Sequence, residues 1–284
     1  MVTEKKRQKE EKHPKKNIPQ YFISEERKKE FNILLAEDEI INQTVVKIIL
    51  ERLGYSVDIF SNGKDAVEAL KQTPYDLVLM DCEMPEMDGY EATGEIRDPD
   101  SKVLDHEVPV IALTGHAIDG DIRRFTDAGM DDFLSKPVKP AKLSCIIEKW
   151  LSKERSPRNN NTLPRLAGTE KNVKQVIDLS VLMENLSDDR DLVFNILDDF
   201  LEYIPIKISD LKKAFDNGEA SSVRHEAHRI KGLTANIGAE SLNRIAHQIE
   251  IAGESGNLTG VDSLLSQFDE QLGLFKKGIA KLDK

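Results

Sequence analysis

The sequence is poor in cysteine and lacks long apolar segments, and both absences limit what the protein can be. Only two cysteines occur in 284 residues, and Cys82 and Cys145 lack the spacing of a metal site. Such cysteine usage is typical of a reducing, cytoplasmic setting. No apolar run approaches the ~20 residues of a membrane helix, and the charged N-terminus lacks a signal peptide's apolar segment. We therefore expect a cytoplasmic protein with no membrane segment in this chain.

An excess of basic residues is also missing. The formal net charge is -11, so we expect no basic face that could neutralise nucleic-acid phosphates. We therefore predict no nucleic-acid partner. The hydrophobic content of 39% is enough for packed cores, and the length corresponds to about two domains.

The chain divides into four segments of different composition. Residues 1–30 are rich in Lys and Glu, and we interpret them as a solvated or loosely helical lead-in, since a docking or membrane-surface role would need more apolar residues. Residues 31–152 alternate short apolar runs with helix-like stretches, which is typical of βα units. Residues 153–177 are polar, have little to bury and are typical of an interdomain linker. Helical periodicity covers the remaining residues, 178–284.

Five βα units fit the second segment. The predicted strands are Phe31–Leu35, Val57–Phe60, Asp76–Met80, Val108–Leu113 and Asp132–Leu134, and the predicted helices are 41–53, 64–72, 89–97, 118–128 and 140–152. Gly54 and Gly129 fall just beyond two of these helices, where a left-handed residue is easiest for glycine.

The last segment is predicted to be an all-α, up-down four-helix bundle preceded by a short helix. The predicted helices are 179–186, 189–215, 219–236, 239–254 and 260–282, and the short connections between them favour this topology. Pro205 predicts a kink or a local break in the first long helix.

Charged side chains follow the carboxyl ends of the predicted strands. Glu37 and Asp38 follow the first strand, Asp81 ends the third, Thr114 ends the fourth and Lys136 follows the fifth. Ligands bind at this edge of open parallel sheets. Clustered carboxylates repel each other unless a cation compensates, and hard oxygen ligands favour Mg²⁺, or Mn²⁺. The pattern predicts a metal site where Asp81 attacks phosphorus while Lys136 and Thr114 hold the remaining phosphoryl oxygens.

Residues 31–152 resemble the response-regulator receiver domain. The matching motifs are Leu35-Ala36-Glu37-Asp38-Glu39, Asp81-Cys82-Glu83-Met84-Pro85-Glu86-Met87-Asp88-Gly89, Ala112-Leu113-Thr114 and Lys136-Pro137. The resemblance implies a doubly wound, flavodoxin-like α/β fold with a five-stranded parallel sheet of order 2-1-3-4-5. It also implies Asp81 as phosphoacceptor and a cis bond before Pro137. The implied metal ligands are Glu37, Asp38, Asp81 and the backbone carbonyl of Glu83.

Three further positions bear on how such a domain would behave. Phe133 stands where many receiver domains carry Tyr, so a switch coupled to Thr114 would work through ring packing. Glu83 and His116 lie two residues beyond Asp81 and Thr114. They either tune hydrolysis of the acyl phosphate or are ordinary solvated loop residues.

A histidine on the third predicted helix of the last segment, which is the second long one, is a second candidate site. The predicted buried stripe of this helix comprises Val223, Ala227, Ile230, Thr234 and Ile237. His228 falls off that stripe, with Lys231 and Gly232 on the same predicted exposed face. A neutral imidazole can attack phosphorus, and Lys231 can neutralise phosphate oxygens. Gly232 would let another domain approach closely.

Residues 178–284 resemble the histidine-containing phosphotransfer (HPt) domain. The resemblance rests on Ala227-His228-Arg229-Ile230-Lys231-Gly232-Leu233-Thr234-Ala235-Asn236-Ile237-Gly238-Ala239, followed by Leu242 and Ile249-Glu250. It implies His228 as phosphoacceptor and Lys231 as its electrostatic helper, with Gly232 and Glu250 in support. His225 is a rival acceptor that lacks Lys and Gly at matching offsets, and His247 fits a supporting position on the neighbouring helix.

Together the two resemblances predict a two-component phosphorelay protein, similar to the C-terminal part of hybrid sensor histidine kinases. An upstream histidine kinase would phosphorylate Asp81, the group would be exchanged with His228 in cis or in trans, and another response-regulator receiver would accept it. No ATP-binding kinase domain is identifiable, so we expect no labelling from ATP.

Alternative functions use the same residues differently. The chain could be a phosphorylation-gated binding module or a phosphate sink without internal transfer. An Asp-nucleophile phosphohydrolase is disfavoured, because Glu37 and Asp38 precede Asp81 in the chain, whereas that class carries its nucleophile on the first strand. Whether Met1 is a native start or an internal position of a hybrid kinase stays open.

Overall fold

The computed structural model describes residues 23–115, 119–152, 179–186 and 189–282. The predicted linker 153–177, His116 and most of the predicted lead-in lie outside the described residues. Within them, no helix combines the length and the apolar character that crossing a membrane requires.

A five-stranded parallel sheet forms the centre of the N-terminal half. Its strands are β1 (Asn32–Ala36), β2 (Ser56–Phe60), β3 (Leu77–Asp81), β4 (Val110–Thr114) and β5 (Asp132–Ser135). They pair in the order β2-β1-β3-β4-β5, which confirms the predicted order 2-1-3-4-5. Strands β3 and β4 are buried along their whole length, which explains their continuous apolar character.

Helices cover both faces of this sheet. They are α2 (Ile40–Arg52), α3 (Gly63–Leu70), α4 (Gly89–Arg97), α5 (Asp119–Asp127) and α6 (Pro140–Leu151). Successive strand residues point to opposite faces. Leu35 and Leu79 therefore join the apolar cluster that contains α2 and α6, whereas Ala36 and Met80 join the cluster that contains α3 and α4. Gly54 and Gly129 have φ values of 91° and 87°, as expected for the residues that end helices.

The described residues begin inside the predicted lead-in. A short helix, α1 (Glu25–Lys28), is capped by the side chain of Ser24, which accepts a hydrogen bond from the backbone of Arg27. Ile23 is only 2% exposed and belongs to the same apolar cluster as α2. Ile23 and Lys28 therefore attach this part of the lead-in to the α/β half, while Glu25, Glu26, Arg27, Lys29 and Glu30 are exposed, and the lead-in as a segment stays a prediction.

The C-terminal half is helical. It contains α7 (Ser180–Asn185), α8 (Arg190–Asp216), α9 (Ala220–Asn236), α10 (Glu240–Ser255) and α11 (Val261–Leu282). Helix α9 packs against α8 and α10, and α11 packs against α10 and α8, which closes a four-helix bundle. Helix α8 continues through Pro205, so of the two alternatives predicted there the local break is wrong and the kink stays a prediction.

The two halves of the chain are in contact. Helix α2 of the α/β half packs against α8 and α9 of the bundle. One apolar cluster runs continuously from Ile41 and Val45 on α2 into the interior of the bundle. This contact places the carboxyl edge of the sheet opposite helix α9.

Candidate functional site

Three carboxylates meet at the carboxyl edge of the sheet. Glu37 and Asp38 follow β1, Asp81 ends β3, and one oxygen from each lies within 4.8 Å of the others. Lys136 follows β5, and its Nζ lies 2.6 Å from Glu37 Oε2 and 2.6 Å from Asp81 Oδ2. The Lys136-Pro137 bond is cis, as the resemblance implies. The structure thus brings together four residues that lie up to 99 positions apart in the chain.

This cluster is buried, and its positive charge is too small to compensate its three carboxylates. Burial and then the Asp81 carboxylate raise the pKa of Glu37 to about 7, and Lys136 and Asn42 only partly oppose them. Burial, followed by repulsion from Glu37 and Glu39, also raises the pKa of Asp38 to about 7. The pKa of Asp81 is also raised, again chiefly by burial. Because oxygen donors with unmet negative charge select hard divalent cations, these side chains fit Mg²⁺ or Mn²⁺.

Glu83 contacts this cluster through its backbone, and its side chain reaches across the cleft, with Oε1 lying 3.7 Å from His228 Nδ1. Its backbone N–H donates to Asp81 Oδ1 at 3.3 Å. Its carboxylate instead accepts a hydrogen bond from Arg224 of helix α9 at 2.9 Å. The side chain is therefore a contact between the two halves, which neither alternative in the sequence reading included.

Thr114 lies at the end of the fourth strand and Phe133 lies within the fifth strand, as predicted. Thr114 is the last residue of β4 and is 8% exposed, and its carbonyl accepts a hydrogen bond from the Lys136 N–H at 2.7 Å. The Phe133 ring stacks on Phe125 at 5.9 Å, and Phe125 stacks on Tyr90 at 6.0 Å. A movement of the Phe133 ring would therefore act on the rings of Phe125 and Tyr90. The switch itself stays a prediction.

On helix α9, His228 is held by a carboxylate from the neighbouring helix. Its Nδ1 lies 2.6 Å from Glu250 Oε1 of α10. The Lys231 ammonium donates to both oxygens of Glu250, at 2.8 and 2.6 Å, and His247 Nδ1 lies 3.1 Å from Oε2. Burial opposes ionisation of Glu250, but hydrogen bonds from His228 and Lys231 hold its pKa well below the usual range. An ionised Glu250 can only accept a hydrogen bond, so the neutral imidazole carries its proton on Nδ1 and its free lone pair on Nε2.

The exposed face predicted for His228, Lys231 and Gly232 is wrong. Lys231 is only 5% exposed, and a Cβ placed on Gly232 would lie 3.4 Å from Asn42 Nδ2 of the α/β half. The face is covered because the carboxyl edge of the sheet lies over it. Gly232 therefore provides the clearance that its position suggested, toward a domain of the same chain.

The aspartate and histidine sites line a single narrow cleft. The residues that line it are Glu37, Asp38, Glu39, Asn42, Asp81, Glu83, Gly115 and Lys136 from the α/β half, and His228, Arg229, Lys231 and Gly232 from the bundle. A Cβ on Gly115 would lie 3.4 Å from Lys231 Nζ and 3.6 Å from His228 Cε1. The two candidate phosphoacceptors therefore share one water-poor space.

Sequence reasoning missed the polar contacts that hold this cleft together. Arg229 lies 3.0 Å from Asp38 and hydrogen-bonds Glu39, and Lys207 of α8 lies 3.0 Å from Glu39. One signal was present in the sequence, since Lys207 occupies a buried position of an otherwise apolar stripe. The apolar members of that stripe are Phe200, Ile204, Ile208 and Leu211.

Comparison with known proteins agrees with this geometry. A model of the response regulator receiver domain matches residues 33–148, and a model of the Hpt domain matches residues 195–278. The chain is a receiver domain followed by an HPt domain. These matches confirm the two predicted domain types and their order, while the boundaries 31–152, 153–177 and 178–284 stay predictions.

The relatives that match most of this chain include bacterial sensor proteins. The chain is 29% identical over 262 residues to the aerobic respiration control sensor protein ArcB of Escherichia coli (strain K12), covering 89% of this chain and 32% of ArcB. It is 29% identical over 221 residues to the sensor histidine kinase GacS of Pseudomonas protegens, covering 77% of this chain and 24% of GacS. The chain thus spans a third or less of the length of these relatives.

A solved structure matches the receiver domain alone. It is the receiver domain of sensor histidine kinase PA1611 from Pseudomonas aeruginosa PAO1, with a magnesium ion coordinated in its active site cleft. It is 43% identical, covers 43% of this chain and 98% of that chain, and has a TM-score of 0.40.

Proposed function

We propose that this protein is a phosphorelay module in which Asp81 accepts a phosphoryl group and exchanges it with His228. The observation that carries the proposal is that both residues line the same cleft, between the receiver and HPt domains. An upstream histidine kinase would supply the group and a further response-regulator receiver would take it. These partners follow from the two domain types and from the kinase relatives.

The receiver side of the cleft is arranged to take up a phosphoryl group. Glu37, Asp38, Asp81 and the Glu83 carbonyl would hold Mg²⁺ or Mn²⁺, which when bound neutralises charge on the phosphoryl oxygens. Lys136 bridges Glu37 and Asp81, so its ammonium lies where a group on Asp81 places its oxygens. The Thr114 hydroxyl, at the adjacent strand end, is the second protein group that we assign to those oxygens.

The HPt side supplies a nucleophile in a defined tautomer. With its proton on Nδ1 and directed to Glu250, His228 presents the Nε2 lone pair to phosphorus. A bond forms between Nε2 and phosphorus, the bond between phosphorus and the Asp81 oxygen breaks, and the electron pair returns to the Asp81 carboxylate. The proton stays on Nδ1, which donates a hydrogen bond to Glu250, and the positive charge that the ring gains is balanced by that carboxylate, so no other reactant is needed. The reverse reaction uses the same groups.

We keep for Lys231 the role predicted from the sequence, that of neutralising phosphoryl oxygens, and add a second one. Its ammonium is bonded to Glu250 and lies against Gly115 of the receiver domain. We assign it to neutralising both Glu250 and the phosphoryl group at the wall of the cleft. Phe133, Pro137 and Gly232 act by packing and clearance only.

Phosphotransfer from a small phosphodonor tests the proposal. Wild-type protein, Asp81→Asn and His228→Gln are incubated with acetyl phosphate and Mg²⁺, and the label is assigned by its acid or base lability. We expect acid-labile label on His228 in the wild type and none in Asp81→Asn. Label confined to Asp81 in both the wild type and His228→Gln would leave a phosphorylation-gated binding module or a phosphate sink as the function. The wild type incubated with ATP serves as a control that we expect to stay unlabelled.

A further inference from the structure

Glu39 lies where the acidic edge of the receiver domain meets two helices of the HPt domain. It directly follows Asp38, immediately precedes helix α2, and is 1% exposed. Two cations from different helices reach the same carboxylate oxygen, Oε1. Lys207 Nζ of α8 lies 3.0 Å from it, and Arg229 Nε of α9 donates a hydrogen bond to it. One buried anion thus joins three helices from two domains.

The ion pair of Lys207 with Glu39 is almost completely shielded from solvent. The Lys207 side chain is 6% exposed and the Glu39 side chain 2% exposed. Charges buried to this degree are strongly unfavourable unless they are paired. An HPt domain without a cation at the position of Lys207 would leave Glu39 with less compensation. A receiver domain without an anion at the position of Glu39 would leave the Lys207 ammonium buried beside the Tyr203 ring, whose centroid is 5.0 Å away.

Arg229 differs from Lys207 in having further anionic neighbours. Its guanidinium lies 3.0 Å from Asp38 Oδ2 and 3.4 Å from Glu226 Oε1, in addition to its bond with Glu39. Arg229 therefore keeps partners when Glu39 is changed. Among the described side chains, the ion pair of Lys207 is with Glu39. Lys207 is thus the more selective reporter of the contact.

A neutral contact one helical turn away fixes the register of the two domains. Asn42 of α2 accepts a hydrogen bond from Asn236 Nδ2 of α9 at 2.6 Å while its own amide donates to Glu37 Oε1 at 2.8 Å. Gly232 leaves room for the Asn42 side chain. Since a side-chain amide pairs with many surfaces, this contact orients the domains, whereas the charged contact discriminates between them.

We propose that Glu39 is the residue by which the receiver domain selects the HPt domain of its own chain, through Lys207 and Arg229. A receiver surface of this kind accepts an HPt domain with cations at both positions and rejects one with a neutral or acidic residue there. The biological meaning of that selection rests on the proposed phosphoryl exchange. The docking itself does not, and it is measured without any phosphodonor.

The test compares charge reversals in the full-length chain in Mg²⁺ buffer. Amide hydrogen exchange is followed in residues 39–46 and 229–236, which face each other, and small-angle X-ray scattering reports the overall dimensions. Glu39→Lys and Lys207→Glu should each lower the docking equilibrium constant by about thirtyfold or more, since they break a buried charge pair. Both segments then exchange faster and the radius of gyration increases.

The double variant Glu39→Lys with Lys207→Glu keeps the proposal falsifiable even if each single change harms folding. It restores opposite charges between positions 39 and 207, but the lysine introduced at position 39 also faces Arg229, which keeps only Asp38 and Glu226 as partners, so we expect part of the protection to return. Lys213→Glu is the matched control, because it lies on the same helix with its side chain 71% exposed. We expect that variant to exchange like the wild type.

Three results would overturn the proposal. The first is unchanged exchange in both single variants, and the second is no recovery in the double variant. The third is protection that disappears on dilution, because the contact would then be with a second copy of the chain. Labelling with acetyl phosphate distinguishes a failure of this docking proposal from a failure of the proposed function. If docking responds as expected but wild-type His228 is never labelled, the phosphoryl exchange fails and the domain selection survives.

Discussion

Glu250 is the residue through which the histidine site is organised. It contacts His228, Lys231 and His247, and under the proposed function the hydrogen bond that it accepts from Nδ1 would leave Nε2 as the nucleophilic nitrogen. Its negative charge also compensates the buried Lys231 ammonium, which donates to both of its oxygens.

We predict that Glu250→Ala slows transfer from Asp81 to His228 by about ten- to a hundredfold, the usual cost of removing the group that orients a functional imidazole. Glu250→Gln keeps an acceptor but loses the charge, so it should fall between Glu250→Ala and the wild type. Single-turnover labelling measures the rate. His247→Gln is the control, since His247 contacts the same carboxylate from a position that is 40% exposed at its side chain. A normal rate in Glu250→Ala would show that the tautomer is not set by this carboxylate.

Gly115 is the second residue at which a single change should act on docking. A Cβ there would already lie 3.4 Å from Lys231 Cε and Nζ, so a larger side chain must enter the space of Lys231 and His228. We predict that Gly115→Leu weakens docking about tenfold or more, as overpacking commonly does. Hydrogen exchange in residues 229–236 measures this. Gly94→Leu should have no effect on it, because a Cβ on Gly94 meets nothing within 4 Å. Equal exchange in the two variants would mean that Gly115 is not part of the interface.

At the scale of elements, periodicity and turn residues predicted most of the fold. The predicted strand Asp76–Met80 begins and ends one residue before β3, and the predicted helix 89–97 coincides with α4. Such agreement follows because short buried runs and amphipathic helices leave local patterns. The packing of Ile23 and the burial of Lys231 left no local signal, since each depends on residues distant in the chain. The receiver and HPt motifs carried the acceptors Asp81 and His228, but not their meeting in one cleft.

Helix α1 gives a prediction about the receiver domain as a folded unit. Ile23 is 2% exposed in the apolar cluster that contains α2, so Ile23→Ala should lower the free energy of unfolding by roughly 2–5 kcal/mol. The single tryptophan of the chain, Trp150, lies on α6 and reports unfolding of this domain. Urea titration followed by its fluorescence makes the measurement. Ile40→Ala, at a residue that is 54% exposed, should change stability far less. Equal effects of the two substitutions would argue that residues before β1 do not belong to the receiver fold.

At the scale of the whole molecule, docking of the two domains would make the proposed relay steps mutually exclusive. Asp81 is 3% exposed in the cleft that it shares with the HPt domain, and the His228 side chain is 14% exposed. We expect that a kinase could not reach Asp81, nor a further receiver His228, while the two domains are in contact. The proposed relay would then require the contact to open twice in each cycle, and the ion pairs and side-chain amides at the interface suit such opening.

The last prediction concerns whether the exchange occurs within one chain. Two domains joined in one molecule meet at an effective concentration of about 1 mM, roughly a thousandfold above a protein concentration of about 1 μM. Wild-type labelling of His228 should therefore be first order and independent of protein concentration. A mixture of His228→Gln, which can label Asp81, with Asp81→Asn, which retains His228, can transfer only between chains. We expect that mixture to label His228 at least about a hundredfold more slowly at about 1 μM, and to gain rate in proportion to concentration. Equal rates in the mixture and in the wild type would place the exchange between chains, because the advantage of a shared chain would then be absent.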